Sequence, residues 1–174
     1  MNSSNIFPNI YRFIGLVGVQ VIILSQVSLA ANGYCNILLY PLFILFLPIE
    51  IATPLAVFLG FLVGLAVDLS VGTMGVNASA GALSGYTRAI ILHQFAPRGG
   101  YSNKEPIPTP QYFGWRWFLN VAAIFFAIHI FWYFAMAYFT PVYLVGKILP
   151  QTILGWFLTM IVVVLYTRIF HPKV

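Results

Sequence analysis

The stretch GFLVGLAVDLSVGTMG, residues Gly60 to Gly75, sets one carboxylate, Asp68, in sequence that otherwise belongs in a membrane interior, with Gly60, Gly64, Asp68 and Gly72 at every fourth position. Residues four apart share a helix face, so the stretch reads as an apolar helix carrying a stripe of almost no side-chain volume. A second backbone can lie close against such a face. The chain supplies one nearby, because the run after GTMG carries Gly81 and Gly85 with Ala78 and Ala82 beside them. The pattern predicts a helical hairpin, about 53–71 against 76–95. Gly60, Gly64, Asp68, Gly72, Gly75, Gly81 and Gly85 are its candidate packing or partner-binding residues.

Composition places this hairpin in a bilayer. Of 174 residues, 61% are apolar and 6% charged, with a mean hydropathy of +0.94, whereas soluble domains carry roughly a quarter charged residues. A span needs about 20 apolar residues, so the chain has room for little beyond its membrane helices. The predicted fold is an all-α integral membrane protein, a bundle of six transmembrane helices in one domain. Their expected positions are about 10–30, 36–49, 53–71, 76–95, 115–139 and 149–170. The second is short and contains Pro41, and Pro48 and Pro54 bracket a hinge holding Glu50. Residues 96–114 are rich in proline, glycine and polar groups and read as a loop. SLAANG, after the first helix, loosely resembles a signal-peptidase site, but the apolar run before it exceeds the usual h-region, so an uncleaved anchor is expected.

Charge sets the orientation. Short loops rich in Lys and Arg stay cytoplasmic, and with the amino terminus inside, Arg12, Arg88, Arg98, Lys104, Arg116, Arg168 and Lys173 lie on or near that side, leaving Lys147 outside. Both termini are then cytoplasmic. Tyr112, Trp115 and Trp117 at one end of the fifth helix, and Tyr138 and Tyr143 at the other, fall where interfacial aromatics belong. Basic loops facing anionic lipid account for the net charge of +5 without nucleic acid. The one cysteine, Cys35, cannot form an intrachain disulfide, and no Cys/His cluster has metal-ligand spacing. Neither a metal nor a cofactor is implied.

The intramembrane polar residues are Ser84, Arg88 and His129, with Asp68 near the outer interface. Asp68 lies close to the GTMG turn and is expected to accept hydrogen bonds from Thr73 and the turn amides. Arg88 lies roughly 15 Å deeper, too far to neutralise Asp68, and should snorkel to the surface or meet Glu50. Ser84 and His129 share a depth of roughly 16 Å, which a serine–histidine dyad would require. However, no oxyanion donor is evident, and phosphate-binding glycine loops, paired carboxylates and HExxH are missing. A non-enzymatic protein with an interhelical hydrogen bond at His129 is the expectation. Asn120, Gln151 and Thr152 are expected at interfacial helix ends. A channel or flippase would need polar-lined helices that the sequence lacks.

The order NILLYPLFILFLP followed by GFLVGLAVDLSVGTMGVNA, within about Asn36 to Leu92, resembles the rod shape-determining MreD family of bacteria. The resemblance implies a non-enzymatic inner-membrane scaffold subunit of the cell-elongation machinery. Its implied partners are the bitopic protein MreC, the actin-like MreB, and the SEDS glycosyltransferase and penicillin-binding protein that build lateral peptidoglycan. It also implies a fold similar to the substrate-binding subunits of energy-coupling-factor transporters. The alternative is therefore a small-molecule-binding subunit of such a transporter, which would dock through an alanine-x-x-x-alanine pattern on the first helix. Here that helix offers Gly15 and Gly18 instead.

Overall fold

The computed structural model describes residues 6–26, 36–101 and 107–170, and every regular element among them is helical. Helix α1 (Ile6–Val19) continues through a π-helical turn, Gln20–Leu24. A single-turn helix, α2 (Pro41–Leu45), precedes α3 (Thr53–Val71) and α4 (Val76–Gln94). A short α5 (Pro110–Phe113) leads into α6 (Trp115–Tyr138). A 3₁₀ turn at Pro141–Tyr143 and a π-helical turn at Leu144–Ile148 then feed α7 (Leu149–Phe170). The α3–α4 and α6–α7 connections share one end of the bundle, the turn end. Residues 95–101 and 107–114 lie at the other, the loop end. The SLAANG run, Cys35, Lys104 and Lys173 fall outside the described residues.

Three helical stretches among the described residues are long and apolar enough to cross a membrane: Thr53–Val71, Trp115–Tyr138 and Pro141–Phe170. Tyr11–Leu24 is a shorter apolar helix. That is three fewer than the six expected spans: the last residues of the first, expected over 10–30, fall outside the described residues, and the other two differ for physical reasons. Helix α4 matches α3 in length, but its residues include Asn77, Ser79, Ser84, Arg88 and His93, which lower its hydropathy. It tolerates them by lying in the middle of the bundle, against α3 on one side and α6 on the other, with Asn77, Ser84 and Arg88 all buried.

The second correction concerns residues 36–49. Instead of a short span they form an extended lead-in and one helical turn, because Pro41 fits only a helix start and Pro48 forbids continuation. Five helical residues advance only about 7.5 Å. From Leu38 to Leu47 the segment is buried throughout, with Tyr40, Leu42, Ile44, Leu45 and Phe46 fully enclosed. Irregular backbone at membrane depth is tolerated where protein surrounds it. Phe46 stacks on Phe118 of α6, ring centroids 6.0 Å apart, and Phe125, Phe126 and Phe134 extend this core along α6.

The hairpin is closed by two glycines in the left-handed region, Gly72 and Gly75, each at φ 80°. A Cβ at either would meet nothing within 4 Å, so they serve the turn's backbone conformation and not helix packing. The packing glycines are the other four. A Cβ on Gly60 or Gly81 would come under 3.0 Å from the other's backbone. One on Gly64 would strike Asn77 and Ala78, and one on Gly85 would strike Ala56 and Val57. The stripe is consumed within the hairpin.

Candidate functional site: a buried polar network

Asp68 is 2% exposed and uses both carboxylate oxygens. Oδ1 accepts from the Thr73 hydroxyl, from the Asn77 main-chain nitrogen at 3.1 Å and from Asn77 Nδ2 at 3.0 Å. Oδ2 accepts from the Ala78 nitrogen at 2.8 Å. Asn77 and Ala78 belong to the first turn of α4, whose amides have no partner inside their own helix. The residue in the N-cap position, Gly75, has no side chain to offer them. Asp68 therefore caps α4 from the neighbouring helix, with its charge at the positive end of the α4 dipole. The turn amides behave differently from expectation: Gly72 and Thr73 donate to the main-chain carbonyl of Asp68, at 2.8 and 3.1 Å.

Arg88, on the same helix, is 2% exposed and neither snorkels nor meets Glu50. Its Nε donates to the Leu45 carbonyl at 3.2 Å and its terminal nitrogen to the carbonyls of Leu47 and Pro48, the latter at 3.0 Å. Arg12 of α1 donates to the remaining one, Phe46, at 3.4 Å. Four consecutive carbonyls at the end of α2 are thereby satisfied by two guanidinium groups. A planar five-donor fork suits this task better than an ammonium.

The start of the same segment is held from the other side. Gln20, the first residue of the π-helical turn, accepts at Oε1 from the Leu39 and Tyr40 amides at 2.7 and 3.3 Å, and donates through Nε2 to the Ile37 carbonyl at 3.0 Å. Thr159 of α7 accepts from the Leu38 amide at 3.1 Å. The Tyr40 hydroxyl donates to the Asn77 carbonyl at 3.2 Å, joining α2 to the capped end of α4.

Ser84 and His129 do come together, with Ser84 Oγ 2.6 Å from His129 Nδ1. Both are enclosed, at 1% and 0% exposure, and the Tyr40 ring stands edge-on to the imidazole at 5.2 Å. His129 Nε2 meets no hydrogen-bond partner. A nucleophilic serine needs access to its substrate and donors for the developing oxyanion; this pair is sealed between α4 and α6 and ties them.

Sequence reasoning singled out Asp68, Ser84, Arg88 and His129 but assigned no role to Gln20, Tyr40, Asn77 or Thr159. The available signal was that polar side chains in apolar helices face the protein interior. Gln151 and Thr152, expected at an interfacial helix end, are the third and fourth residues of α7 and are buried against the protein, where Gln151 Oε1 accepts from the Tyr138 hydroxyl at 2.8 Å. Among the described residues no three His, Cys, Asp or Glu side chains gather as metal ligands. In comparisons with protein-family models, curated proteins and solved structures, nothing matches this chain.

Proposed function

We propose that this chain is a non-enzymatic scaffold subunit of the bacterial cell-elongation machinery, seated in the inner membrane and binding an MreC-like single-pass partner. In this reading the chain passes six times through the bundle, with the buried 36–48 segment as its second passage and both termini cytoplasmic. It supports lateral peptidoglycan synthesis together with an MreB-like filament and a SEDS–penicillin-binding protein pair. The observation that carries the reading is the use made of Asp68 and Arg88. Each interior charge is spent on main-chain groups of a neighbouring element, so the buried polar chemistry maintains a shape. Tyr40, Asp68, Asn77 and Arg88 also lie inside the stretch that carries the family resemblance. Since the hairpin consumes its own glycine stripe, the partner must meet a different face.

Mass spectrometry of the protein purified from its native membrane in mild detergent tests this. Stoichiometric recovery of a single-pass, coiled-coil-bearing protein supports the scaffold. Recovery of an ATPase module with a tightly held small molecule would replace it with the transport-subunit reading.

A further inference from the structure

The Asp68 network leaves one of its own atoms without a partner. Asn77 Nδ2 donates to Asp68 Oδ1 and to the Thr73 hydroxyl oxygen, each at 3.0 Å, which uses both amide hydrogens. These bonds fix the orientation of the amide, because the reverse would set its oxygen against a carboxylate oxygen, acceptor facing acceptor. Oδ1 therefore faces away from the carboxylate. Asn77 is 3% exposed, and its Oδ1 is fully enclosed and meets no donor. The nearest candidates are engaged elsewhere: the Tyr40 hydroxyl donates to the Asn77 main-chain carbonyl at 3.2 Å, and the Asn77 and Ala78 amides donate to Asp68. A buried carbonyl left open costs about 1–3 kcal/mol.

The register of α4 against α6 identifies what lies opposite. Ser84 and His129, 2.6 Å apart, pair the two antiparallel helices at one level. Asn77 is seven residues from Ser84 toward the turn end, two turns along the same helix face, and Tyr133 is four residues from His129 in the same direction. From the Ser84–His129 level the two positions lie about 10.5 Å and about 6 Å toward the turn end. Their offset of about 4.5 Å suits two O–H···O bonds in sequence, which span about 5.5 Å. The Tyr133 phenol is within electrostatic reach of Asp68. No described residue hydrogen-bonds its hydroxyl, and the side chain is only partly buried, so the position is not sealed.

We propose that an ordered water is bound between Asn77 Oδ1 and the Tyr133 hydroxyl, donating to the amide oxygen and accepting from the phenol. Two protein partners lie within the usual range for buried water. The offset selects a molecule of this size, because a longer donor does not fit between two oxygens about 5.5 Å apart. The water makes a second tie between α4 and α6 beside the sealed Ser84–His129 pair, and it carries the Asp68 network onto α6. The inference concerns the bundle interior and is independent of the scaffold reading.

Water-edited solid-state NMR of the protein in liposomes, with the side-chain carboxamide carbons of Asn and Gln labelled, tests the site. Gln20 is the control: it is enclosed to the same degree, at 4% exposure, and its amide is served by protein through Leu39, Tyr40 and Ile37. Magnetisation should pass from water to Asn77 Cγ and not to Gln20 Cδ. Tyr133→Phe keeps the ring and removes one of the water's two partners, so transfer to Asn77 should fall by about half or more, while an unchanged Gln20 resonance verifies that the bundle is intact. Transfer no greater at Asn77 than at Gln20 in the parent protein would overturn the site, and so would transfer that Tyr133→Phe leaves unchanged. A Cγ shift in Tyr133→Phe with no water transfer in the parent would assign a direct phenol–amide bond instead. Transfer from lipid protons in place of water would overturn the proposal in favour of a lipid donor.

Discussion

Oδ2 of Asp68 lies 2.8 Å from the main-chain nitrogen of Ala78, so the last turn of α3 provides the cap that Gly75 cannot give α4. Because Oδ1 is engaged by Thr73 and Asn77 at the same time, the site needs an acceptor on both sides of the group. Asp68→Asn offers an acceptor on one side only and turns its NH₂ toward a donor. It should cost about 1–3 kcal/mol, and Asp68→Leu, which leaves both α4 amides open, about twice that. Reversible unfolding in mixed micelles measures both; an Asn variant as stable as the parent would show that one acceptor suffices.

The glycines divide into classes that substitution can separate. Gly60→Ala or Gly81→Ala drives a methyl into opposing backbone, which cannot yield as a side-chain tip could, and should cost about 1–3 kcal/mol. Gly15→Ala on α1 meets nothing within 4 Å. It should be neutral or stabilising by up to about 1 kcal/mol, the helix-propensity difference. The same unfolding assay on all three distinguishes contact from composition.

Arg88 makes a more local prediction. Arg88→Lys keeps the charge but cannot reach the carbonyls of Leu45, Leu47 and Pro48 with one ammonium. Hydrogen exchange at amides 42–47 should accelerate by at least about tenfold, the effect of roughly 1.4 kcal/mol, while amides in the middle of α3 and α6 keep their protection. Uniform acceleration across the bundle would show that Arg88 supports the whole fold and not the α2 segment in particular.

The hairpin was legible because its determinants are local: spacing four along α3, glycines around the turn and an acid next to it. The ends of 53–71 and 115–139 follow from Pro54, Gly72 and Gly114, which act within one turn of themselves. The 36–49 segment was not legible as a buried plug, since its backbone is satisfied by Gln20, Arg88 and Thr159, residues 17 to 121 positions away. A proline marks where a helix stops, but nothing local says whether what remains reaches lipid or stays inside. Arg88 was misplaced for the same reason: its acceptors are carbonyls, which every residue has and no sequence pattern marks.

Ser84 and His129 test whether the sealed pair is structural. Ser84→Ala strips Nδ1 of its partner in a ring whose Nε2 already has none, and should cost about 1–3 kcal/mol. In Ser84→Ala/His129→Leu both polar partners are gone and the space stays apolar, so the double variant should recover most of that loss. His129→Leu alone should be milder than Ser84→Ala, because a helical serine can turn its hydroxyl to a carbonyl of the preceding turn. A double-mutant cycle in the unfolding assay, run beside the yield of co-purified partner, separates two outcomes. If partner yield follows stability in all three variants, the pair acts as an interhelical tie. If His129→Leu folds normally yet loses the partner, the imidazole has a role beyond holding α6 to α4.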